Sequence, residues 1–244
     1  MKQDKTGSTK IGGMMKLAIL NNSGNVGKST IAQLLLLPRI SESVLIRIES
    51  INDDGNPTGE KMTADDFDAA LNKVFEVDDA IIDVGSSNIE KFYEKSSDEF
   101  AGSHIFIDYY LIPVTPEEKQ QKDTVSTIIT LLNMGVDEGK IKLIFNKVNK
   151  KKDFNQQFDT ILNSCPVEIQ NKPVIYNSEL FNTLQKAGLT YEKVSQDTRD
   201  FDALIKASTD KKEQAELRFH YLYRMAYNSF NKNLDEAFIA LNLE

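Results

Sequence analysis

Short apolar runs alternate with stretches of helical periodicity along most of the chain. Lys16-Leu17-Ala18-Ile19-Leu20 reads as a first strand, followed by a Gly-containing turn and a helical segment over 28–37. Val44 to Ile48 is a second strand, and Asn52 to Pro57 has the composition of a turn-rich loop. Thr63 then opens a helix with Asp66 as its capping partner, and Phe67, Ala70, Leu71, Val74 and Phe75 share one face. Ala80 to Val84 is a third strand, and a fourth lies within 105–114. Thr115-Pro116-Glu117-Glu118 reads as N-cap, first-turn Pro and capping acid, opening a helix whose stripe is Val125, Ile128, Ile129 and Leu132. Ile141 to Phe145 makes a fifth strand and Pro173 to Tyr176 a sixth. Beyond 178 the pattern is mainly helical: Leu234, Ala237, Phe238 and Leu241 keep helical spacing, and Leu217, Tyr221, Leu222 and Met225 come close to it.

This alternation implies βαβ units. The fold class expected is α/β, a doubly wound and mostly parallel sheet of five or six strands with a helical C-terminal extension. Residues 1–13 are polar and read as a disordered tail or an appended sequence. The sheet domain then covers 14–177, and 178–244 forms a helical region packed on the same domain.

Composition narrows the setting. The 244 residues carry a formal charge of −8, with 40% apolar residues, which is the range of a globular chain able to build its own core. A single cysteine, Cys165, excludes an internal disulfide, and with only His104 and His220 beside it a zinc cage is not expected. A reducing, cytoplasmic compartment follows as the expectation. No apolar run reaches the roughly 20 residues of a membrane span. The acidic balance argues against a surface that attracts nucleic acid everywhere. A local basic cluster, Lys150, Lys151 and Lys152 with Lys147, reads either as a solvated loop or as a DNA phosphate contact.

The chemistry is concentrated in Asn21-Asn22-Ser23-Gly24-Asn25-Val26-Gly27-Lys28-Ser29-Thr30. It follows a strand and opens a helix, the context of a phosphate-binding loop. Gly24 and Gly27 let the backbone turn so that its N–H groups converge on anionic oxygens. Lys28 can then reach β- and γ-phosphates, and the Ser29 hydroxyl can ligate Mg²⁺. The common pattern G-x-x-x-x-G-K-[ST] would place Gly where this chain has Asn22. Asp83 ends a hydrophobic strand, where a carboxylate can hold Mg²⁺ directly or through water. Glu49 ends another, where it could polarise a water for attack on a γ-phosphate. Asn146-Lys147 closes the fifth strand, and an amide there could meet a base edge. The acid that guanine-specific loops place two residues further on is Asn149 here, which tilts the nucleotide towards ATP.

Together the residues Leu17 to Thr30, Pro38-Arg39, Ile82-Asp83-Val84-Gly85, Ile112 to Pro116 and Phe145-Asn146-Lys147 resemble the ParA/MinD group of deviant Walker ATPases. More closely they look like the StbB-type plasmid stability proteins of conjugative plasmids. The resemblance covers about residues 15–150. It implies an ATP-dependent switch in plasmid stability, partition or conjugative transfer, using ATP/ADP and Mg²⁺. It also implies an ATP-dependent homodimer and a plasmid-encoded adaptor or DNA-binding partner; the aromatics Phe219, Tyr221, Tyr223, Tyr227 and Phe230 read as packing against the sheet domain and not as a membrane-targeting helix. Lys28, Glu49 and Asp83 take the catalytic roles, and Ser29 and Asp83 hold the metal. Ser23, Gly24, Asn25, Val26, Gly27, Lys28, Ser29 and Thr30 bind the phosphates, and Asn146 and Lys147 lie near the adenine.

Two positions depart from that group. Ser23 stands where its members carry a signature lysine that crosses a dimer interface, and Asn25 stands where Gly is common. Lys147, Arg39 and Arg47 are the stand-ins on offer. A slow ATPase is the leading reading. A nucleotide-binding interaction module with little or no hydrolysis, and a P-loop small-molecule kinase, are the alternatives.

Overall fold

The computed structural model describes residues 14–49 and 58–243, together with the backbone of a two-residue antiparallel pair, Lys2–Gln3 with Thr9–Lys10. The expectation for 52–57 as a loop falls outside the described residues, as does that for 1–13 as a tail apart from those four backbone positions. A seven-stranded sheet forms the centre: β1 (Met15–Ile19), β2 (Val44–Ile48), β3 (Glu60–Met62), β4 (Asp79–Val84), β5 (Tyr109–Val114), β6 (Ile141–Val148) and β7 (Val174–Tyr176). Its order is β3-β2-β4-β1-β5-β6-β7, with every pairing parallel. The helices are α1 (Lys28–Ile31, continued by a π-helical turn over Ala32–Leu36), α2 (Phe67–Glu76), α3 (Ile89–Glu94), α4 (Glu118–Asn133), α5 (Phe154–Gln157), α6 (Asp159–Ser164), α7 (Leu180–Lys186), α8 (Tyr191–Gln196), α9 (Phe201–Ala207) and α10 (Lys211–Leu241).

The central strands are buried on both faces, β4 along its whole length, which is why they read as continuous apolar runs and not as alternation. The chain winds outward from β1 to β2 and β3, returns to β4, then continues on the other side through β5 to β7. The loop after β1 therefore opens at the point where the winding reverses, the crevice in which doubly wound sheets bind ligands.

Four local expectations change. The strand not foreseen is β3, Glu60-Lys61-Met62, a short, charged edge strand with no apolar signal. Gly59 admits it: at φ +87° its Cα lies so close to β2 that an added Cβ would sit 2.8 Å from the Leu45 carbonyl oxygen. The Thr63–Asp66 capping box forms, through one 3₁₀ turn before α2. However, Phe75 leaves the buried face at 54% exposure and packs edge-on against Phe106. At α4 the N-cap is Glu117, not Thr115, because the Thr115 hydroxyl is bonded to Gln120. The buried face of α4 is Gln121, Thr124, Thr127, Ile128 and Leu131, so the apolar stripe is rotated and Ile129 is exposed.

By compactness the chain divides into one unit of 1–176 with 235–244 and another of 177–234. In the first, Leu234's neighbours Ala237, Phe238 and Leu241 are buried, as their spacing predicts. There Arg39, 1% exposed, donates to the Leu34 and Leu35 carbonyls and pairs with Asp235 at 2.7 Å. In the second unit, Leu180, Leu184 and Val194 form a small core that Tyr223, Tyr227 and Phe230 cover. Leu222 and Met225 are exposed, against the expectation of a buried face.

Candidate functional site

The loop between β1 and α1 is held at its root by α4. Asn21, fully buried, donates from Nδ2 to the Pro113 carbonyl (2.9 Å) and the Thr124 hydroxyl (2.8 Å), while its Oδ1 accepts from the Ser23 N–H (2.7 Å). The Thr127 hydroxyl accepts from the Asn22 N–H at 3.0 Å. Asn22, which replaces the first Gly of the common pattern, keeps its side chain on Tyr93 of α3, whose hydroxyl donates to Oδ1 at 3.0 Å. The polar face of α4 is thus buried against backbone that would otherwise lack partners.

The far side of the loop is clasped by the end of β6. Asn146 donates from Nδ2 to the Val26 carbonyl at 2.8 Å, and its Oδ1 accepts from the Lys147 N–H at 2.9 Å. The Lys147 ammonium reaches the Asn25 carbonyl at 2.7 Å. Asn25 and Gly27 both adopt left-handed backbone, with φ of 60° and 93°, which Asn tolerates better than most residues and Gly without strain. At Gly27 the fit leaves no room for a side chain, since an added Cβ would lie 2.4 Å from Asn146 Nδ2. Both ends of the Asn146 amide are engaged within the protein, on the loop and on its own neighbour.

Between these supports lies a cavity of about 260 Å³ bounded by Gly24, Asn25, Gly27, Lys28, Ser29 and Thr30 on one side and Gly85 and Ser86 on the other. Gly27 caps α1 without any side-chain hydrogen bond, so the first N–H groups of the helix face an anion-sized space. Lys28 is 7% exposed and donates to the Ser23 and Asn21 carbonyls at 2.9 and 3.2 Å. Burial pulls its pKa down to about 8, and Asp83 only partly offsets this.

Asp83 aligns with Ile19 of β1 and Arg47 of β2 in the sheet register. It is 1% exposed, and neither carboxylate oxygen completes a hydrogen bond. Burial pushes its pKa up; the neighbouring Ser29 hydroxyl pulls the other way, Glu49 raises it further, and Lys28 and Arg47 lower it. Two orphaned buried oxygens beside a serine hydroxyl fit a hard divalent cation that takes its remaining ligands from phosphate and water. Among the described residues no cluster of three or more His, Cys, Asp or Glu could hold a metal by protein ligands alone. Glu49, at the mouth of β2, is tied to Arg47 at 2.8 Å. Gly85 keeps this corner tight, its N–H donating to the Ile48 carbonyl and an added Cβ lying 3.6 Å from Glu49 Cγ.

The structure thus brings Gly24, Asn25, Gly27, Lys28, Ser29 and Thr30 around one cavity, with Asp83 buried close to Ser29, Lys28 and Glu49, and with Asn146 and Lys147 on the outer face of the loop. The Ser23 side chain turns inward, donating to Asp123 of α4 at 2.9 Å. Of the three candidate stand-in cations, Arg39 and Arg47 are buried in ion pairs, whereas Lys147 is exposed at the loop. Lys150, Lys151 and Lys152 are exposed beyond β6, with Lys150 over the Tyr176 ring at 4.2 Å. Local sequence does not signal Tyr93, Ser86 or the polar face of α4, and it places Asn21 in the loop segment without its role in anchoring the root. Gln121, Thr124 and Ile128 at helical spacing are the signal for that face, one that apolar periodicity does not register.

No protein-family model matches the chain, and no curated protein sequence matches it. Among solved structures it is similar to an ATP complex of a Cyanothece McdA variant, with a TM-score of 0.52 at 15% identity over 95% of this chain and 98% of that one. A plasmid partition protein of Borrelia burgdorferi bound to AMPPNP aligns at a TM-score of 0.48, 14% identity, 86% and 98% of the two chains. MinD of Pyrococcus horikoshii with Mg-ADP aligns at 0.46, 11% identity, 90% and 96%. The McdA likeness shows the fold alone, a parallel α/β sheet flanked by helices.

Proposed function

We propose that the chain binds Mg·ATP at the β1–α1 loop and hydrolyses it slowly, as a nucleotide-dependent switch. The observation that carries this is Asp83: a buried carboxylate with two unpartnered oxygens, close to Ser29 and Lys28, which themselves line the cavity at the loop. Loop N–H groups and Lys28 would take the phosphates, and Ser29 and Asp83 the metal, whose charge offsets that of the phosphates. Glu49 would orient the attacking water, with Arg47 fixing its carboxylate. Lys28→Ala is expected to abolish Mg·ATP binding in calorimetry and phosphate release in a turnover assay. Unchanged affinity and turnover would overturn the reading.

A second reading, a binding module with little hydrolysis, is favoured by Ser23 facing Asp123, which leaves that position without a cation. Single-turnover release of labelled phosphate separates the two. The resemblance of the loop segments supports a role in plasmid stability, partition or conjugative transfer, with a nucleotide-dependent homodimer and a plasmid-encoded partner. Mass measurement with Mg·ATP, Mg·ADP and no nucleotide tests the dimer. Charge reversal at Lys150, Lys151 and Lys152 tests direct DNA contact, through salt-dependent DNA affinity.

A further inference from the structure

The end of β6 opposite the phosphate loop presents an unfinished sheet edge. On one side, β6 pairs with β5 from Ile141 to Phe145. On the other, β7 pairs only from Phe145 onward, with Val174 and Tyr176. The Phe145 N–H donates to the Pro173 carbonyl at 2.9 Å. Since N–H and C=O directions alternate along a strand, Leu143 and Ile141 point their backbone groups the same way as Phe145. Pro173 has no N–H to return to Leu143, so the ladder stops there. No backbone group of the described residues bonds Leu143 across this edge. Yet Leu143 and Ile141 are each only 6% exposed, and buried backbone groups left unpaired are rare in folded proteins.

These groups face a cavity of about 220 Å³ whose apolar walls include Val167, Ile169 and Leu241. Its rim carries the exposed acids Asp137, Glu138 and Glu168. The lysines nearby are turned to other partners. Lys140 donates to the Ile107 carbonyl at 2.8 Å, Lys142 lies over the Tyr109 ring at 5.3 Å, and Lys172 over the Phe154 ring at 5.4 Å. The mouth is therefore acidic, the walls apolar, and one side is strand backbone awaiting partners.

We propose that this edge is a docking site for an extended segment of a partner protein, in which apolar residues alternate with Lys or Arg. The segment adds a strand to β6, exchanging main-chain hydrogen bonds with Leu143 and Ile141. It seats an apolar side chain against Val167, Ile169 and Leu241, and sets its cations against Glu138 and Glu168. This is strand addition, with backbone bonds giving affinity and the pocket giving selectivity. The proposal stands apart from the phosphate loop, which lies at the other end of the strands.

The test uses the full chain and a labelled eight-residue peptide of alternating Val and Lys, compared with Val and Glu and with a Val/Lys peptide N-methylated at its central residues. Saturable binding of the first is expected, with at least tenfold weaker binding of the other two. Glu138→Lys with Glu168→Lys should weaken binding at least tenfold, and Ile169→Trp should block it by filling the cavity. Glu90→Lys, an exposed acid on α3, should leave it unchanged. By amide exchange, the Leu143 N–H should exchange faster than that of Ile144 in the free protein and become protected with the peptide. Equal binding of all three peptides, or equal loss with Glu90→Lys, would overturn the proposal as mere charge attraction. A Leu143 amide already protected in the free protein would overturn it too, as would a dimer that fills the edge with a second copy.

Discussion

Burial holds the Lys28 ammonium at a pKa of about 8, and the neighbouring Asp83 offsets only part of that effect. Below pH 8 the folded protein carries the charged form at a cost, and the cost fades as pH rises from about 8 towards 10.5, where the unfolded chain still binds the proton. Lys28→Met should therefore raise the thermal midpoint at pH 7, on the order of 5 °C for a gain of one to two kcal/mol, while abolishing nucleotide binding. Calorimetric unfolding and binding on the same samples check both halves. A phosphate in the cavity would favour the charged lysine, so nucleotide affinity should fall as pH passes upward through about 8. Titration at pH 8 in two buffers of different ionisation enthalpy should register proton uptake on binding. Asp83 follows the opposite logic: its raised pKa reflects burial, which the Ser29 hydroxyl, Lys28 and Arg47 offset only in part, and Asp83→Asn should be tolerated by the fold yet lose the Mg²⁺ dependence of binding.

At the scale of elements, the phosphate loop is shaped by its neighbours as much as by its own glycines. Helix α4 supplies Thr124 and Thr127 to the root of the loop, and β6 supplies Asn146 and Lys147 to its outer turn. Thr124→Val would leave the Asn21 amide short of a buried acceptor, which costs about 1–3 kcal/mol and should appear as a shifted urea midpoint at constant slope. Asn146→Ala frees the Val26 carbonyl and opens space above Gly27. Its expected signature is about a tenfold weaker nucleotide affinity for a loss near 1.4 kcal/mol, read by calorimetry. Gly27→Ala, by contrast, meets both the φ of 93° and the Asn146 amide, and should eliminate binding outright.

For the molecule as a whole, the last residues of α10 close over the unit that carries the site. Asp235 pairs with Arg39, which also caps the carbonyls of Leu34 and Leu35 at the end of the helix that begins at Lys28. Removing the carboxylate takes an ion-pair partner from a buried guanidinium, a change worth up to about 3–5 kcal/mol. Asp235→Ala should lower the unfolding free energy by up to that amount in denaturant titration, whereas Asp197→Ala, which breaks the partly exposed pair with Arg199, should change it by under about 1 kcal/mol.

Local sequence alone determined the strands of the sheet's centre, the helix opened by Thr63 and Asp66, the loop from Ser23 to Thr30, and the strand-end positions of Asp83 and Glu49. These are legible because a doubly buried strand is a continuous apolar run and a phosphate loop needs Gly, Lys and Ser at fixed spacing. Tertiary structure decided what those signals cannot carry. Strand β3 is charged and exists because Gly59 lets it lie against β2. The first half of the buried face of α4 is polar because it meets loop backbone, while Ile128 and Leu131 further along join the core. Asn146 and Lys147 turn to the loop itself, and Ser23 turns to Asp123, through contacts between residues about 100 positions apart or more. Periodicity reports which side of an element is apolar. Which polar groups are buried depends on the partner each one meets, and that is fixed only when the sheet closes.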